Sequence, residues 1–244
     1  MIGKPFIRLD SVDSSNNHAK DQFRQGKAVY GTAFFAVEQT QGRGQQDRTW
    51  VSEKGANILL TVIIDCRDRN PLNAFLFNAQ IALSCCDFFS NYAGDETCIK
   101  WPNDIYWRDR KAGGILIENS IRDGSWEVAF VGIGININQT HFQEHVVRPV
   151  SLKQITGKQH DPEQLAHELC SIINQRISST AVQDEQKIMD EYSSKLFRQG
   201  ERAVLRTSRW TNEVTILGVN RKGQLLVQHK DEEALDNNDV TWLL

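Results

Sequence analysis

The stretch from residue 97 to residue 137 constrains the fold more than any other part of the sequence. Its β-rich runs fall at roughly 97 to 107, 112 to 121 and 125 to 137, and Asp123-Gly124 separates the last two. Because Asp-Gly is a favoured two-residue turn between antiparallel strands, these runs predict three successive strands. We therefore expect the chain to be built around an antiparallel sheet.

Further strands are predicted on both sides of this stretch. Residues 4 to 10, 31 to 38 and 57 to 65 are β-rich runs, and from Gly200 onward short β-rich runs alternate with turn residues. We therefore divide the chain into a main domain at 1–197 and a small C-terminal β-barrel at 198–244.

Helices are predicted between these strands. The run Asp13-Ser14-Ser15-Asn16 offers N-cap side chains for a short helix that ends near Gly26. Pro71 opens a second helix that Gly94 closes, and its apolar residues recur at helical spacing. Polar, helix-favouring sequence follows from about 161 to 196. The second helix is expected to pack in the core.

Composition limits the classes of function. The 244 residues are 40% hydrophobic and carry a net charge of −3, so a sizeable core is expected and a global basic field for nucleic acid is not. No window approaches the roughly 18 apolar residues of a membrane span, and no signal peptide begins the chain, so we expect a cytoplasmic protein. The cysteines lack Cys-x-x-Cys spacing and are expected to be reduced, buried thiols: Cys66, Cys85, Cys86, Cys98 and Cys170.

A long polar segment, residues 39–56, separates two predicted strands and contains Gly42-Arg43-Gly44, Arg48 and Trp50. We call it the glycine–arginine loop. Glycine lets the backbone wrap an oxyanion, and guanidinium groups bind phosphate or carboxylate, so the segment is suited to anions. An exposed surface loop is the alternative. The segment has neither the Gly-Lys-Ser/Thr end of a P-loop nor the third glycine of a dinucleotide fold.

Two other segments concentrate functional groups. Lys100-Trp101-Pro102-Asn103-Asp104 is followed by Lys111, and a turn at 107 to 112 would fold Lys111 back toward Asp104. A solvated hairpin tip with unrelated charges is the alternative. In the run from 132 to 137, Gly132, Gly134 and Asn136 share one strand face opposite three isoleucines. Such a bare face serves tight packing or a flat ligand.

Four segments together resemble the biotin protein ligases: GRGQQDRTW at 42–50, KWPNDIY at 100–106, KAGGILIE at 111–118 and GIGININ at 132–138. The resemblance implies an α/β (α+β) catalytic domain with a mixed, largely antiparallel sheet, related to class II aminoacyl-tRNA synthetases and lipoate ligases. A small C-terminal β-barrel follows it. The layout predicted from the residues agrees with this fold.

The resemblance also implies roles for individual residues. The ureido ring of biotin is bound by Ser14, Ser15, Asn16 and Gln39, and Gly114, Gly132 and Gly134 form the flat wall of its pocket. The loop over the adenylate contains Gly42, Arg43, Gly44, Arg48 and Trp50. Lys111 contacts the biotin carboxylate and the α-phosphate, and Asn103 and Asn136 lie on the nucleotide side. Ile135 is a further implied cofactor-binding residue. Lys111, Arg43, Arg48 and Asp104 are the implied catalytic residues, and no residue is assigned as a metal ligand.

The implied reaction has two steps. Biotin and ATP, with Mg²⁺, give biotinoyl-adenylate, and a lysine of a biotin carboxyl carrier protein then attacks it. Asp104 is the candidate base for that lysine. A lipoate ligase of the same fold and a non-catalytic biotin-binding regulatory protein are the alternatives. Strand edges would allow a homodimer.

Three features depart from the resemblance or compete with it. Gln45 stands where the family usually has another arginine, which predicts weaker retention of the adenylate unless Asp47 and Arg48 pair instead. Only 13 residues precede Ser14, so an N-terminal DNA-binding domain is not expected. His141-Phe142-Gln143-Glu144-His145 matches the letters of an inverted zinc-protease motif but lies in a predicted connection, whereas that motif needs a helix.

Overall fold

The computed structural model describes residues 1–46, 48–143, 148–179 and 185–243. In chain order the strands are β1 (Phe6–Leu9), β2 (Ala33–Ala36), β3 (Ile58–Asp65), β4 (Thr97–Lys100), β5 (Asp104–Trp107), β6 (Arg110–Arg122), β7 (Ser125–Ile135), β8 (Arg202–Arg206), β9 (Thr211–Val219), β10 (Leu225–Gln228), β11 (Glu232–Leu235) and β12 (Thr241–Trp242). The helices are α1 (Ser15–Arg24), α2 (Ala74–Ala93), α3 (Leu152–Thr156), α4 (Pro162–Ser179) and α5 (Glu185–Ser194), with short 3-10 helices at Pro71–Asn73 and Asn237–Asp239.

The strands form two sheets. Within the described ranges, seven strands make the larger sheet, in the order β1-β2-β3-β7-β6-β5-β4, and five make the smaller sheet, in the order β11-β10-β9-β8-β12. Strands β1 and β2 are parallel, whereas β3, β7, β6, β5 and β4 pair antiparallel with their neighbours. The predicted mixed, largely antiparallel sheet followed by a small C-terminal β domain is confirmed.

The prediction of one strand at 97 to 107 is wrong. These residues form two antiparallel strands, β4 and β5, which a turn at 101 to 103 joins. Pro102 lies in this turn, and proline cannot donate a hydrogen bond to a sheet. The Asp123-Gly124 turn is confirmed, with φ of 51° and 76° at its two residues, as a two-residue hairpin requires.

The predicted helices also differ in part. The segment from 161 to 196 contains two helices, α4 and α5, and residues 180–184 between them lie outside the described residues. Contrary to the sequence expectation, Pro71–Ala93 is long and apolar enough to cross a membrane by length and composition. Most of it is buried inside the protein, because α2 packs between the larger sheet and the helices α4 and α5.

The two faces of the larger sheet are covered differently. On one face α2 and α4 pack against apolar side chains such as Val62 and Val131. On the other face α1 covers one end, where Ala19 and Phe23 contact a cluster that includes Phe34 and Phe130. The rest of this second face carries glycines of β6 and β7, so it leaves open space.

The smaller sheet packs against α5, beside the larger sheet. Its buried residues, including Leu205 and Ile216, belong to the same hydrophobic core as the larger sheet. The Trp101 Nε1–H donates to the Gly223 carbonyl at 2.9 Å, so the turn after β4 contacts the turn after β9. The smaller sheet is thereby held beside the open face.

Candidate active site

A cavity of about 670 Å³ lies on the open, glycine-bearing face of the larger sheet. It is lined by Ser14, Ser15, Asn16, Gln39, Arg43, Gly44, Arg48, Trp50, Asn103, Asp104, Lys111, Gly114, Gly132, Gly134 and Asn136. Of the residues that the sequence assigned to the site, these are the ones that the fold brings together. A cavity of this size is typical of a small-molecule site.

Two assigned residues do not line the cavity. Ile135 points to the opposite face of β7 and is fully buried in the core, so its side chain does not reach the cavity as the implied cofactor-binding role requires. Side chains of a strand alternate between faces, and Gly134 and Asn136 take the cavity face. Gly42 is buried within the glycine–arginine loop, where a Cβ would collide with the Trp50 carbonyl oxygen.

Cross-strand register explains how distant residues share this face. Lys100 pairs with Asp104, Asp104 with Gly114, and Gly114 with Gly134. Directly paired residues point to the same side of a sheet, so these four form one row, which we call the cross-strand row. Thr61 pairs with Gly132 in a neighbouring row on the same face.

A buried polar network forms at the α1 end of the cavity. Gln39 Oε1 accepts hydrogen bonds from the backbone N–H of Ser15 at 2.7 Å and from its hydroxyl at 3.0 Å. The Thr61 hydroxyl lies 2.7 Å from both the Ser15 hydroxyl and Asn16 Oδ1. Ser14 occupies the N-cap position of α1, but its side chain makes no capping hydrogen bond. The role of Thr61 could not be predicted from the sequence, because a single threonine in an apolar strand does not indicate a binding site.

Glu118 connects this network to the glycine–arginine loop. One oxygen of its carboxylate accepts from Asn16 Nδ2 at 2.9 Å, and the other contacts Lys20 at 2.5 Å and Arg43 at 3.2 Å. Burial raises the pKa of Glu118, but hydrogen bonds from Lys20 and Asn16 outweigh this effect and hold the pKa below its ordinary value. Glu118 ends the KAGGILIE segment, but the sequence alone indicated no role for it.

The glycine–arginine loop is folded back on itself. The Trp50 N–H donates to the Gly42 carbonyl at 2.8 Å, and the Gly44 N–H donates to the Arg48 carbonyl at 2.7 Å. Arg43 and Thr49 form an antiparallel bridge between them. The predicted pairing of Asp47 with Arg48 lies outside the described residues.

Trp50 lies flat against the glycines of the cross-strand row. A Cβ on Gly134 would lie 2.6 Å from Trp50 Cε2, and one on Gly114 would lie 3.3 Å from its Cζ3. The indole Nε1–H is buried without a hydrogen-bond partner. The bare face of β6 and β7 therefore accommodates a flat ring, as the sequence suggested for a ligand.

Lys111 folds back onto Asp104, as the sequence predicted. Its ammonium lies 2.7 Å from the Asp104 carboxylate, and both side chains are largely shielded from solvent. Strands β5 and β6 pair antiparallel, which places this ion pair above Gly114. The alternative, a solvated hairpin tip, does not apply to these two residues.

Asn103 and Asn136, which the resemblance places on the nucleotide side, donate hydrogen bonds to backbone carbonyls of the cavity wall. Asn103 Nδ2 donates to the Ile115 carbonyl at 2.6 Å. Asn136 is buried, and its Nδ2 donates to the carbonyls of Val150 at 3.1 Å and Lys111 at 3.4 Å. Both side chains line the cavity while holding its wall in place.

Charge around the cavity is predominantly positive. Among the described lining residues, Arg43, Arg48, Lys100 and Lys111 are cationic and Asp104 is the carboxylate. Strand β12 of the smaller sheet and the residues between β11 and β12 complete the wall with Asn237, Val240, Thr241 and Trp242. An excess of cations in a partly enclosed site attracts polyphosphate.

The other sequence candidates for chemistry lie elsewhere. All the cysteines are free, and burial raises the pKa of the Cys66, Cys86, Cys98 and Cys170 thiols to about 12, so they are not thiolates at neutral pH. No group of three potential metal-ligating side chains occurs among the residues that the structure describes. In the zinc-motif match, 141–143 are not helical, and Glu144 and His145 lie outside the described residues.

The sequence profile of the Biotin/lipoate A/B protein ligase family matches residues 9–137, which contain the cross-strand row, the polar network and the loop. The chain belongs to this family. Members of the family among characterised proteins include the Bifunctional ligase/repressor BirA of Escherichia coli, which is 33% identical over 139 residues. That alignment spans 57% of this chain and 42% of the E. coli protein.

Other family members match along nearly the whole chain. The Biotin--[acetyl-CoA-carboxylase] ligase of Paracoccus denitrificans is 27% identical over 231 residues, covering 90% of this chain and 92% of the relative. The solved structure of biotin protein ligase from Aquifex aeolicus in complex with biotin and ATP superposes with a TM-score of 0.82 at 25% identity. This match covers 98% of this chain and 99% of that one, so the smaller sheet is part of the shared fold.

Proposed function

We propose that this family member is a biotin protein ligase, which forms biotinoyl-5′-adenylate from biotin and ATP and transfers biotin to a lysine of a biotin carboxyl carrier protein. One observation carries the proposal: a buried network of hydroxyl and amide groups adjoins a row of glycines and cations in a single cavity. The names of the similar proteins, which include biotin ligases of known structure, support it.

The polar network suits the ureido ring of biotin. That ring presents one carbonyl acceptor and two N–H donors. Ser14, Ser15 and Gln39 line the cavity with hydroxyl and amide groups for them, and the buried Thr61 hydroxyl positions Ser15. Both Asn16 amide hydrogens already point to Glu118 and the Leu116 carbonyl. We therefore assign Asn16 to hold Thr61 and Ser15 in place.

Lipoate is a poorer match for the same network. Its dithiolane ring has no N–H donor and no carbonyl, so buried hydroxyl and amide groups would lose partners on binding. A site built to hydrogen-bond its ligand discriminates strongly against an analogue that lacks those groups. The geometry therefore favours biotin over lipoate.

Adenylation needs cations where charge develops. A biotin carboxylate oxygen attacks the α-phosphorus of ATP, the bond from that phosphorus to the bridging oxygen breaks, and the electron pair leaves with pyrophosphate. Lys111, Arg43 and Arg48 line the cavity and would offset this charge, while Asn103 and Asn136 would lie on the nucleotide side. Mg²⁺ would enter bound mainly to phosphate oxygens.

In the transfer step, the carrier amine attacks the acyl carbonyl of the adenylate, and AMP leaves. We propose that Asp104 accepts the proton of the amine once the ligand draws Lys111 away from it. A positioned general base contributes about 10² to 10⁴ in rate. Asp104→Asn should therefore slow transfer from preformed biotinoyl-adenylate by at least about a hundredfold, and adenylate formation far less. Equal losses in single-turnover measurements of both steps would contradict this role.

The function is tested by biotin-dependent exchange of labelled pyrophosphate into ATP, with lipoate and octanoate as comparison substrates. Exchange with biotin alone is the expected result. Exchange only with the fatty acids would identify a lipoate ligase, and binding of biotin without any exchange would identify a regulatory protein. Transfer is then measured with a purified biotin carboxyl carrier domain. We propose that the enzyme acts in the cytoplasm.

A further inference from the structure

Lys100 has no part in the reaction as described above. It ends β4 and pairs with Asp104, so it is the outermost member of the cross-strand row, one strand beyond the Lys111–Asp104 ion pair. Its side chain lines the cavity. The row therefore runs from Gly134 and Gly114, through Asp104, to Lys100 on the edge strand of the larger sheet.

The ammonium of Lys100 is held by aromatic rings rather than by a carboxylate. Its Nζ lies 5.4 Å from the centroid of the Tyr106 ring and 5.5 Å from that of Trp242, which belongs to β12 of the smaller sheet. Within the described residues no carboxylate lies within ion-pair distance of Lys100, whereas Lys111 and Arg43 each have one. Aromatic rings orient a cation without neutralising it, so its charge stays available to a ligand.

The environment of Lys100 favours an incoming anion. Burial lowers the pKa of its ammonium, and the nearby cations Lys111 and Arg48 lower it further, against the opposing effect of Asp104. A phosphate placed among these cations would offset the repulsion between them, and its oxygens would replace the water that the buried ammonium has lost. The binding of an anion should therefore be strongest while Lys100 is protonated.

We propose that Lys100 binds the β- and γ-phosphates of ATP and the departing pyrophosphate, and that Trp242 is the residue that positions it. This inference rests on the proposed function. The nucleophile and the leaving group lie on opposite sides of the α-phosphorus. When biotin replaces the Trp50 ring on the glycines and Lys111 contacts the reacting oxygens, Lys100 is the next cation across the sheet, beyond Asp104, and would face the leaving group. Lys100 transfers no proton; it offsets the charge that pyrophosphate gains when the phosphorus–oxygen bond breaks.

The test compares the two half-reactions in Lys100→Met, which keeps an unbranched side chain one atom shorter and removes its charge. We expect the KM for Mg-ATP in pyrophosphate exchange to rise at least about tenfold, because one charge-assisted contact is lost. The inhibition constant for the product pyrophosphate should rise by the same factor. Transfer from preformed biotinoyl-adenylate to the carrier should stay within about twofold, because that substrate carries no pyrophosphate. Lys222→Met, an exposed lysine of the smaller sheet, is the matched control.

Variants of Trp242 test the positioning role. Trp242 Nε1 has no hydrogen-bond partner, so Trp242→Phe keeps the ring and breaks no hydrogen bond. Trp242→Leu removes the ring face above Lys100. We expect Trp242→Leu to raise the KM for Mg-ATP several-fold and to leave transfer little changed, with Trp242→Phe restoring most of the loss. Equal losses in Trp242→Phe and Trp242→Leu would rule out the ring as the positioning element.

Direct binding separates this inference from the proposed function. Calorimetric titration with pyrophosphate and with Mg-ATP should show weaker binding to Lys100→Met than to the wild-type chain, whether or not biotin supports exchange. Absence of exchange in the wild type would reject the proposed function alone. Unchanged binding in Lys100→Met, or a loss confined to the transfer half-reaction, would overturn the role of Lys100.

Discussion

At the residue scale, Thr61 is the side chain that holds the polar network together. Its hydroxyl is fully buried and contacts both Ser15 and Asn16. Valine has the same shape without the hydroxyl, so Thr61→Val would leave Asn16 Oδ1 without this donor, at a cost of about 1–3 kcal/mol. We expect the Kd for biotin to rise about tenfold, measured by calorimetry.

The control for Thr61 is Thr211→Val, an exposed strand threonine of the smaller sheet. It makes the same chemical change outside the cavity and should leave the Kd for biotin unchanged. Thermal unfolding of both variants separates loss of binding from loss of stability. Unaltered biotin binding by a folded Thr61→Val protein would show that the network does not recognise the ligand.

At the element scale, Glu118 of β6 fastens the glycine–arginine loop through Arg43. Side-chain hydrogen bonds to a charged group contribute about 1.5–3 kcal/mol, and the exposure of Arg43 reduces this value. Glu118→Gln should therefore increase the rate of tryptic cleavage at Arg43 and Arg48 several-fold. Glu96→Gln, which removes an exposed ion pair with Arg108, should leave that rate unchanged.

The same contact has a predicted pH dependence. The pKa of Glu118 is lowered in the folded protein, so the stabilisation from its carboxylate is present above its ordinary value of 4.5 and is lost as the pH falls through the lowered value. Loop protection in the wild type should fall over that range, measured with a protease active in acid. Glu118→Gln should show a smaller change, and identical profiles would exclude Glu118 as the titrating group.

The loop also contacts the smaller sheet through Gln45, where the family usually has arginine. Gln45 Oε1 accepts from Asn237 Nδ2 at 3.4 Å, a long and uncharged contact. Gln45→Arg would add a charge-assisted contact to the adenylate, so we expect biotinoyl-adenylate to escape about tenfold more slowly. Gln41→Arg, an exposed loop position, is the control. Negligible escape from the wild type with normal transfer would contradict the prediction.

At the scale of the whole molecule, Gly223 marks where the smaller sheet meets α2. Its φ is +83°, and a Cβ there would collide with the Phe75 ring. Gly223→Ala should therefore lower the free energy of unfolding by about 2 kcal/mol or more, and the Tm by several degrees. Gly157→Ala, with φ of +72° and open space around it, measures the backbone strain alone.

Because one hydrophobic core spans both sheets, calorimetry should show a single unfolding transition in Gly223→Ala, with the smaller sheet melting together with the rest. Two separated transitions would show that the smaller sheet unfolds independently. The KM for Mg-ATP should rise in the same variant, since Trp242 and Asn237 reach the cavity from this sheet.

Several features followed from neighbouring residues alone. The Asp123-Gly124 turn, the alternation of glycine and isoleucine in β7 and the return of Lys111 toward Asp104 were predictable, because turn chemistry and the two-residue strand period act over a few positions. Resemblance to known motifs added the identities of most cavity residues. One error arose where Pro102 interrupts a β-rich run. The other arose at Ile135, where the implied cofactor-binding role conflicted with the strand period, which correctly placed this residue opposite the glycines.

Tertiary structure decided which distant residues meet on the sheet face that bears the cavity. Thr61, Glu118 and Lys100 lie on three different strands, and the strand order with its register places them on one face. Trp242 arrives from the other sheet, which packs there because the two share a core. A strand pattern specifies which side chains share a face, but pairing between strands far apart in sequence depends on the packing of the whole chain.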